Sequence, residues 1–134
     1  MSAVHSRRLK ELFYHLKGMI YLEQDRFEVA VAEFQQALNL GPLNHAYFRD
    51  ALAGAYFKKG DLDKAVEAYN KVFAFNPNYA RSHYMLGQVY EQQSKKREAI
   101  QEYEKFLGIW KDADEGMPLL KDAKDKFARL KSKM

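Results

Sequence analysis

The sequence contains no cysteine, only three prolines and seven glycines, and no long run of apolar residues. Without cysteine there can be no disulfide, no thiolate metal ligand and no cysteine nucleophile. Charged residues interrupt every apolar stretch well before the ~20 residues that a bilayer core requires. The first ten residues carry Arg7, Arg8 and Lys10 without the apolar segment of a signal peptide. We therefore expect a soluble, cytoplasmic chain without a membrane span.

Residue patterns typical of catalysis or metal binding are also missing. The histidines are His5, His15, His45 and His83, and no two of them stand three or four residues apart. That spacing would place two metal ligands on one helical face. No glycine-rich phosphate loop and no nucleophile elbow around a serine occurs. We expect no metal, no cofactor and no enzymatic activity.

The net charge of +4 lies in the final segment of the chain. Basic and acidic side chains balance up to residue 116, whereas residues 117–134 hold six basic and two acidic side chains. Because the rest of the chain is neutral overall, we do not expect it to bind nucleic acid. The lysines of the final segment are most simply solvated. Their contact with an acidic partner or surface is an alternative.

Small and aromatic residues recur along the chain with a period of 34 or 35 residues. Tyrosine, alanine and a second aromatic residue hold fixed places in this period: Tyr21, Tyr56 and Tyr90; Ala30, Ala65 and Ala99; Phe34, Tyr69 and Tyr103. A period of this length is typical of arrays in which each repeat packs against its neighbours. The repeats cover residues 11–44, 46–79 and 80–113.

The middle repeat resembles the tetratricopeptide-repeat family, whose signature places small and aromatic residues in a helix-turn-helix of 34 residues. The matching residues are Leu52-Ala53-Gly54-Ala55-Tyr56, Gly60-Asp61-Leu62-Asp63-Lys64-Ala65, Tyr69 and Asn76-Pro77-Asn78. The resemblance implies an all-α, right-handed α-solenoid, a single domain over 1–134 and a non-catalytic scaffold or adaptor that binds protein. The segment from Phe106 to Asp114 resembles the end of bacterial repeat arrays, which suggests a bacterial source.

The repeat pattern predicts seven helices and no strand, at 6–23, 27–40, 45–59, 62–75, 80–93, 96–111 and 118–132. Alanine at the helix crossings allows close approach of the two helices of a repeat. Gly60 is expected to end a helix in the left-handed conformation, and Asp61 to cap the next one. The segment 117–132 is a closing helix, with an apolar stripe that covers the last repeat and Trp110.

Ligands of this family usually bind the concave surface formed by the first helices of the repeats. The resemblance therefore implies a groove for a peptide or a helix, lined by His15, Met19, Tyr47, Asp50, Phe57, Lys58, Arg81, Tyr84, Met85 and Gln88. One subclass holds the C-terminal carboxylate of heat-shock chaperones with cationic residues of this surface. The corresponding places here are His15, Met19, Ala51, Arg81 and Met85. Only Arg81 among them offers a permanent positive charge, so we expect no binding of such a tail. Self-association into a homo-oligomer through the apolar first helix is a second hypothesis.

Overall fold

The computed structural model describes residues 3–42, 44–111 and 118–133. Within these ranges the chain forms seven α-helices and no strand, which confirms the predicted all-α helical-repeat fold. The helices are α1 (Ala3–Glu23), α2 (Phe27–Asn39), α3 (His45–Lys59), α4 (Leu62–Phe75), α5 (Ala80–Gln92), α6 (Lys96–Ile109) and α7 (Pro118–Ser132). The predicted bounds agree to within three residues. The predicted third repeat ends with residues 112–113, and the predicted closing segment begins at residue 117. Both positions lie outside the described residues.

The helices form two compact units, Met1–Pro77 and Asn78–Met134. In the first unit α1 packs against α2, α2 against α3, and α3 against α4. In the second unit α5 packs against α6, and α6 against α7. Each predicted helix-turn-helix pair is therefore formed inside one unit. The single domain over 1–134 stays a prediction.

The turn inside each helix pair passes through a left-handed residue. These residues are Asp25, Gly60 and Ser94, with φ angles of 58°, 89° and 61°. Glycine adopts this conformation without steric cost, whereas aspartate and serine are strained in it. The prediction for Gly60 is confirmed, and the backbone N–H of Lys64 donates to the Oδ1 of Asp61 at 3.4 Å, as expected for a helix cap.

Close approach of the paired helices depends on alanine and glycine, the two smallest residues. Ala30, Ala65 and Ala99 are completely buried at the crossings. A Cβ atom on Gly18 would lie 2.5 Å from the Phe34 ring, and one on Gly87 would lie 2.6 Å from the Tyr103 ring. The aromatic ring of the second helix therefore rests directly on the backbone of the first helix in both repeats.

Each unit has its own apolar core. In the first unit, Phe34 joins Ala30 and Leu38 to Leu52 and Ala55, and so connects the first repeat to the second. In the second unit, the buried residues include Tyr84, Tyr103 and Phe106 from the third repeat, and the closing helix α7 adds buried side chains to them: Leu120, Ala123 and Leu130.

Trp110 packs against the second core, with its ring 5.3 Å from that of Phe106, as predicted for a residue beneath the closing helix. None of the helices in the described ranges combines the length and the apolar character that crossing a membrane would need.

Candidate functional site

The first-unit part of the predicted groove centres on α1 and α3. Met19 and Tyr47 expose 43% and 45% of their surface, whereas His15 exposes only 3%. The rings of His15 and Tyr47 lie 5.0 Å apart, so the structure joins these two predicted residues across the two helices. Tyr47 is therefore an exposed aromatic side chain that rests on a buried support.

His15 lies inside a cage of aromatic rings. Its ring centroid is 4.8 Å from that of Phe48 and 5.5 Å from that of Phe34. Neither ring nitrogen has a hydrogen-bond partner among the described protein groups. Burial lowers the pKa of His15 from its ordinary value. The side chain is therefore neutral at physiological pH and supports Tyr47 instead of offering a charge to a ligand.

The remaining first-unit residues of the predicted groove differ in exposure. Asp50 is buried, Phe57 is half-buried, and Lys58 is exposed in the last turn of α3. Of these three, only Lys58 is exposed. Asp50 and His15 occupy the same place in successive repeats, which shows that this place faces the interior in both.

The exposed face of α1 is more apolar than that of any other described helix. It carries six large side chains that each expose between 43% and 56% of their surface: Leu9, Leu12, Phe13, Leu16, Met19 and Ile20. Their spacing of three and four residues places them along one broad face. A contiguous exposed apolar surface is characteristic of protein-interaction sites.

In the second unit, the closing helix covers one residue of the predicted groove. Tyr84 is 5% exposed, and its hydroxyl donates a short hydrogen bond to the Asp122 carboxylate of α7. Burial raises the pKa of Tyr84, and the hydrogen bond to Asp122 raises it further. Tyr84 is therefore a docking residue for α7, and the sequence offered no signal for a pair separated by 38 positions.

A second polar contact also holds the closing helix. The hydroxyl of Tyr103 donates to Glu91 at 2.5 Å, and Arg129 of α7 donates to the other carboxylate oxygen of Glu91 at 2.7 Å. Burial raises the pKa of Tyr103, with the hydrogen bond to Glu91 as the next cause. Glu91 thus connects α5, α6 and α7 through one side chain.

The other predicted residues of α5 are more accessible. Arg81 is exposed, whereas Met85 and Gln88 are half-buried. The side-chain amide of Gln88 lies 3.9 Å from the Met85 sulfur, so these two form one small polar and polarisable surface. As a ligand site, the full set of ten residues stays a prediction.

The basic side chains of α7 are partly paired within the second unit. Lys126 forms an ion pair with Asp122 at 3.1 Å, and Arg129 forms one with Glu91. Lys121, Lys131 and Lys133 are exposed. The pairing fits the interpretation of α7 as a closing helix, and its contact with an acidic partner or surface stays a prediction.

The second unit buries one further polar pair that the sequence did not reveal. His83 Nδ1 lies 2.7 Å from Glu102 Oε2, and Lys105 lies 3.2 Å from the other oxygen of Glu102. No group of three or more histidine, aspartate or glutamate side chains with metal-site geometry occurs in 3–42, 44–111 and 118–133. This pair therefore packs α5 against α6.

Among known proteins, the chain is 30% identical over 94 residues to small glutamine-rich tetratricopeptide repeat-containing protein 2 of Saccharomyces cerevisiae. The match covers 70% of this chain and 27% of that protein. The chain spans between 6% and 27% of the length of the curated relatives it matches. They include plant and yeast proteins, and the expected bacterial source stays a prediction.

Solved structures of similar fold cover nearly the whole chain. The first TPR domain of Spaghetti (RPAP3), bound to the HSP90 peptide SRMEEVD, has a TM-score of 0.78 at 21% identity and covers 93% of both chains. The Yersinia enterocolitica type III secretion chaperone SycD, in complex with a peptide of the translocator YopD, has a TM-score of 0.82 at 16% identity. This match covers 90% of this chain and 91% of that chain.

Two family models match the sequence itself. One is described as TPR repeat and matches residues 54–94, and the other is described as tetratricopeptide repeat and matches residues 13–42 and 80–109. Together they span more than half of the chain, and the matches at 13–42 and 80–109 correspond to the helix pairs α1–α2 and α5–α6. The chain belongs to the tetratricopeptide-repeat family.

Proposed function

We propose that this chain is a non-catalytic protein-interaction module that binds a peptide or an amphipathic helix on α1 and α3. The observation that carries the proposal is the exposure of large apolar side chains on these two helices. Leu12, Leu16, Met19 and Tyr47 each expose between 43% and 50% of their surface. Methionine and tyrosine offer adaptable contact area at low cost in conformational entropy.

The bound peptides of the two similar structures described above support a peptide as the ligand. The ligand's character is inferred from the residues of this chain. An amphipathic helix that presents apolar side chains three and four residues apart would match the row of Leu12, Leu16 and Met19. Lys58, at the exposed end of α3, would favour an acidic residue on the ligand.

Apart from Arg81, the places that hold the carboxylate tail of a heat-shock chaperone in that subclass carry no permanent positive charge here. Arg81 is exposed, but His15 is buried and its lowered pKa keeps it neutral. Asp50 would repel a carboxylate rather than hold it. We therefore keep the prediction that calorimetry with such a tail detects binding no tighter than the millimolar range, and micromolar binding would contradict it.

The test compares two variants that remove similar amounts of exposed apolar surface. Met19→Ala with Tyr47→Ala changes the proposed surface, whereas Phe13→Ala with Ile20→Ala changes the other edge of the exposed face of α1. Partners captured from a cell lysate are identified, and their peptides are then titrated against both variants. Loss of two exposed anchors should weaken binding by about 10- to 100-fold.

Binding that the Met19 and Tyr47 variant loses and the Phe13 and Ile20 variant keeps would support the proposed surface. Equal binding by both variants and the unchanged chain would contradict it. Both variants should keep the helical circular dichroism of the unchanged chain, because all four substituted side chains are about half-exposed.

A second candidate function is self-association of two copies through α1. Leu9, Phe13, Leu16 and Ile20 form one stripe, and each exposes between 50% and 56% of its surface. The six half-exposed side chains of α1 offer on the order of 500 Å² of apolar surface, compared with about 800 Å² per partner in a stable complex. Such a dimer would be weak and dependent on concentration.

Analytical ultracentrifugation of the unchanged chain and of a Phe13→Glu and Ile20→Glu variant tests this second candidate. A dimer that forms with rising concentration and disappears in the variant is the expected result. Tyr47→Glu serves as the matched control, because Tyr47 is similarly exposed but lies on α3. If the unchanged chain stays monomeric at millimolar concentration, the dimer is excluded.

A further inference from the structure

The first unit contains a cavity of about 410 Å³ between α2, α3 and α4. Its volume lies within the range of about 300–1,000 Å³ that is typical of small-molecule sites. The cavity is lined by the second helix of the first repeat and by both helices of the second repeat. None of the ten residues of the predicted groove lines it, so it is a separate feature of the molecule.

The base of the cavity is apolar. Leu38, Leu52 and Ala68 line it, and each exposes less than a tenth of its surface. The half-buried ring of Tyr56 adds an aromatic wall. An apolar or aromatic group on a ligand would match this part of the lining, because its contact with these side chains removes apolar surface from water.

The rim of the cavity is cationic. Among the described residues that line it, Arg49, Lys64 and Lys71 are positive and Glu67 is negative. Lys71 lies 3.4 Å from Glu67, but both side chains are more than half exposed, so this ion pair is weak and can be exchanged for a ligand. The remaining excess of positive charge favours an anionic group at the rim.

Two of the cations are held in place by aromatic rings. The Arg49 guanidinium lies 5.0 Å from the centroid of Phe75, which in turn stacks on His45 at 4.4 Å. The buried Nε of Arg49 has no hydrogen-bond partner among the described protein groups. Lys64 lies 5.8 Å from the ring centroid of Tyr56. Contacts of this kind fix the cations before a ligand arrives and reduce the entropy that binding would cost.

We propose that this cavity is a binding site for a small organic anion with an apolar body and one carboxylate or phosphate group. The apolar body would lie on Leu52 and Ala68, and the anionic group would lie between Arg49 and Lys71. The residues that line the cavity are different from those of the peptide surface on α1 and α3, so binding at the two places can be measured separately.

The test uses the full ¹⁵N-labelled chain and three probes. Phenyl phosphate carries both features, inorganic phosphate carries only the charge, and benzyl alcohol carries only the apolar ring. We expect phenyl phosphate to shift the amide signals of Leu52 and Ala68 in a saturable way, with a Kd at least about tenfold lower than that of either other probe. Equal binding of inorganic phosphate or of benzyl alcohol would overturn the proposal, as would no saturable shift with phenyl phosphate.

Two exposed positions test the charge of the rim in opposite directions. Lys71→Gln should raise the Kd of phenyl phosphate about fivefold, whereas Glu67→Gln should lower it, because it removes the anion that competes for Lys71. Lys96→Gln is the matched control, since Lys96 is exposed on α6 of the second unit and should leave the Kd unchanged. If Lys71→Gln and Lys96→Gln change the Kd equally, the binding is general charge attraction and the proposed site is contradicted.

Discussion

Substitution of Gly18 by alanine is expected to destabilise the first unit, although alanine is the better helix former. The new Cβ would lie 2.5 Å from Cε1 and 2.6 Å from Cδ1 of Phe34, where ordinary contact begins at 3.4 Å. The Phe34 ring is 1% exposed and has His15 as a further neighbour at 5.5 Å, so it has little room to retreat.

The size of the effect follows from two opposing terms. Forcing a methyl group into a filled core costs about 1–3 kcal/mol, and the higher helix propensity of alanine contributes about 1 kcal/mol in the opposite direction. The difference is a net loss of about 0–2 kcal/mol in the free energy of unfolding. The 2.5 Å contact with a ring that is 1% exposed favours the upper end of this range. Gly54→Ala is the matched control in the same unit, because its Cβ would meet only the Tyr69 hydroxyl, at 3.7 Å. That variant should gain about 0.5–1 kcal/mol.

Urea unfolding followed by circular dichroism measures both variants. The double variant Gly18→Ala with Phe34→Leu should lose less stability than the two single changes added together, since the shorter side chain makes room for the methyl group. A Gly18→Ala variant that is as stable as the unchanged chain would refute the close contact between the α1 backbone and the Phe34 ring.

Three further predictions concern other parts of the molecule. Ser94→Gly should raise the free energy of unfolding by about 0.5–1 kcal/mol, because glycine relieves the strain of the left-handed conformation. A lower free energy of unfolding in urea would contradict this. Because burial lowers the pKa of folded His15, the unfolded chain takes up the proton first. Stability should therefore fall as the pH drops below about 6.5 and level off below the folded pKa, and a His15→Phe variant with the same slope would disprove the assignment. Leu120→Ala should cost about 2–5 kcal/mol, whereas Lys121→Ala on the exposed side of the same helix should be nearly neutral in thermal unfolding, and equal effects would contradict the docking of α7.

The helices and their order were predictable because the repeat period places a small residue wherever two helices cross. Ala30 and Ala99 are completely buried, as that period implies. The period also placed Asp25 and Ser94 at the turn that Gly60 occupies in the middle repeat, and the structure gives all three the left-handed conformation. Local patterns of this kind determine local backbone geometry, and a sequence displays them directly.

The candidate groove was harder to predict because exposure depends on contacts between distant segments. Tyr84 has the place of a groove residue in its repeat, yet α7 buries it through Asp122. His15 is a predicted groove residue, and the structure places it among the rings of Phe34 and Phe48. Neither outcome follows from helical spacing, because each depends on which neighbouring helix covers the residue.

One place in the repeat provides three comparisons within a single molecule. His15, Asp50 and Tyr84 stand 35 and 34 residues apart, and each buries more than nine tenths of its surface. An imidazole, a carboxylate and a phenol thus occupy equivalent backbone positions in successive repeats. Exchanging these three side chains among the repeats would separate the energetic effect of the residue type from that of its neighbours, with the rest of the sequence kept constant. The three repeats therefore allow the preference of one buried position to be measured for three side chains within one protein.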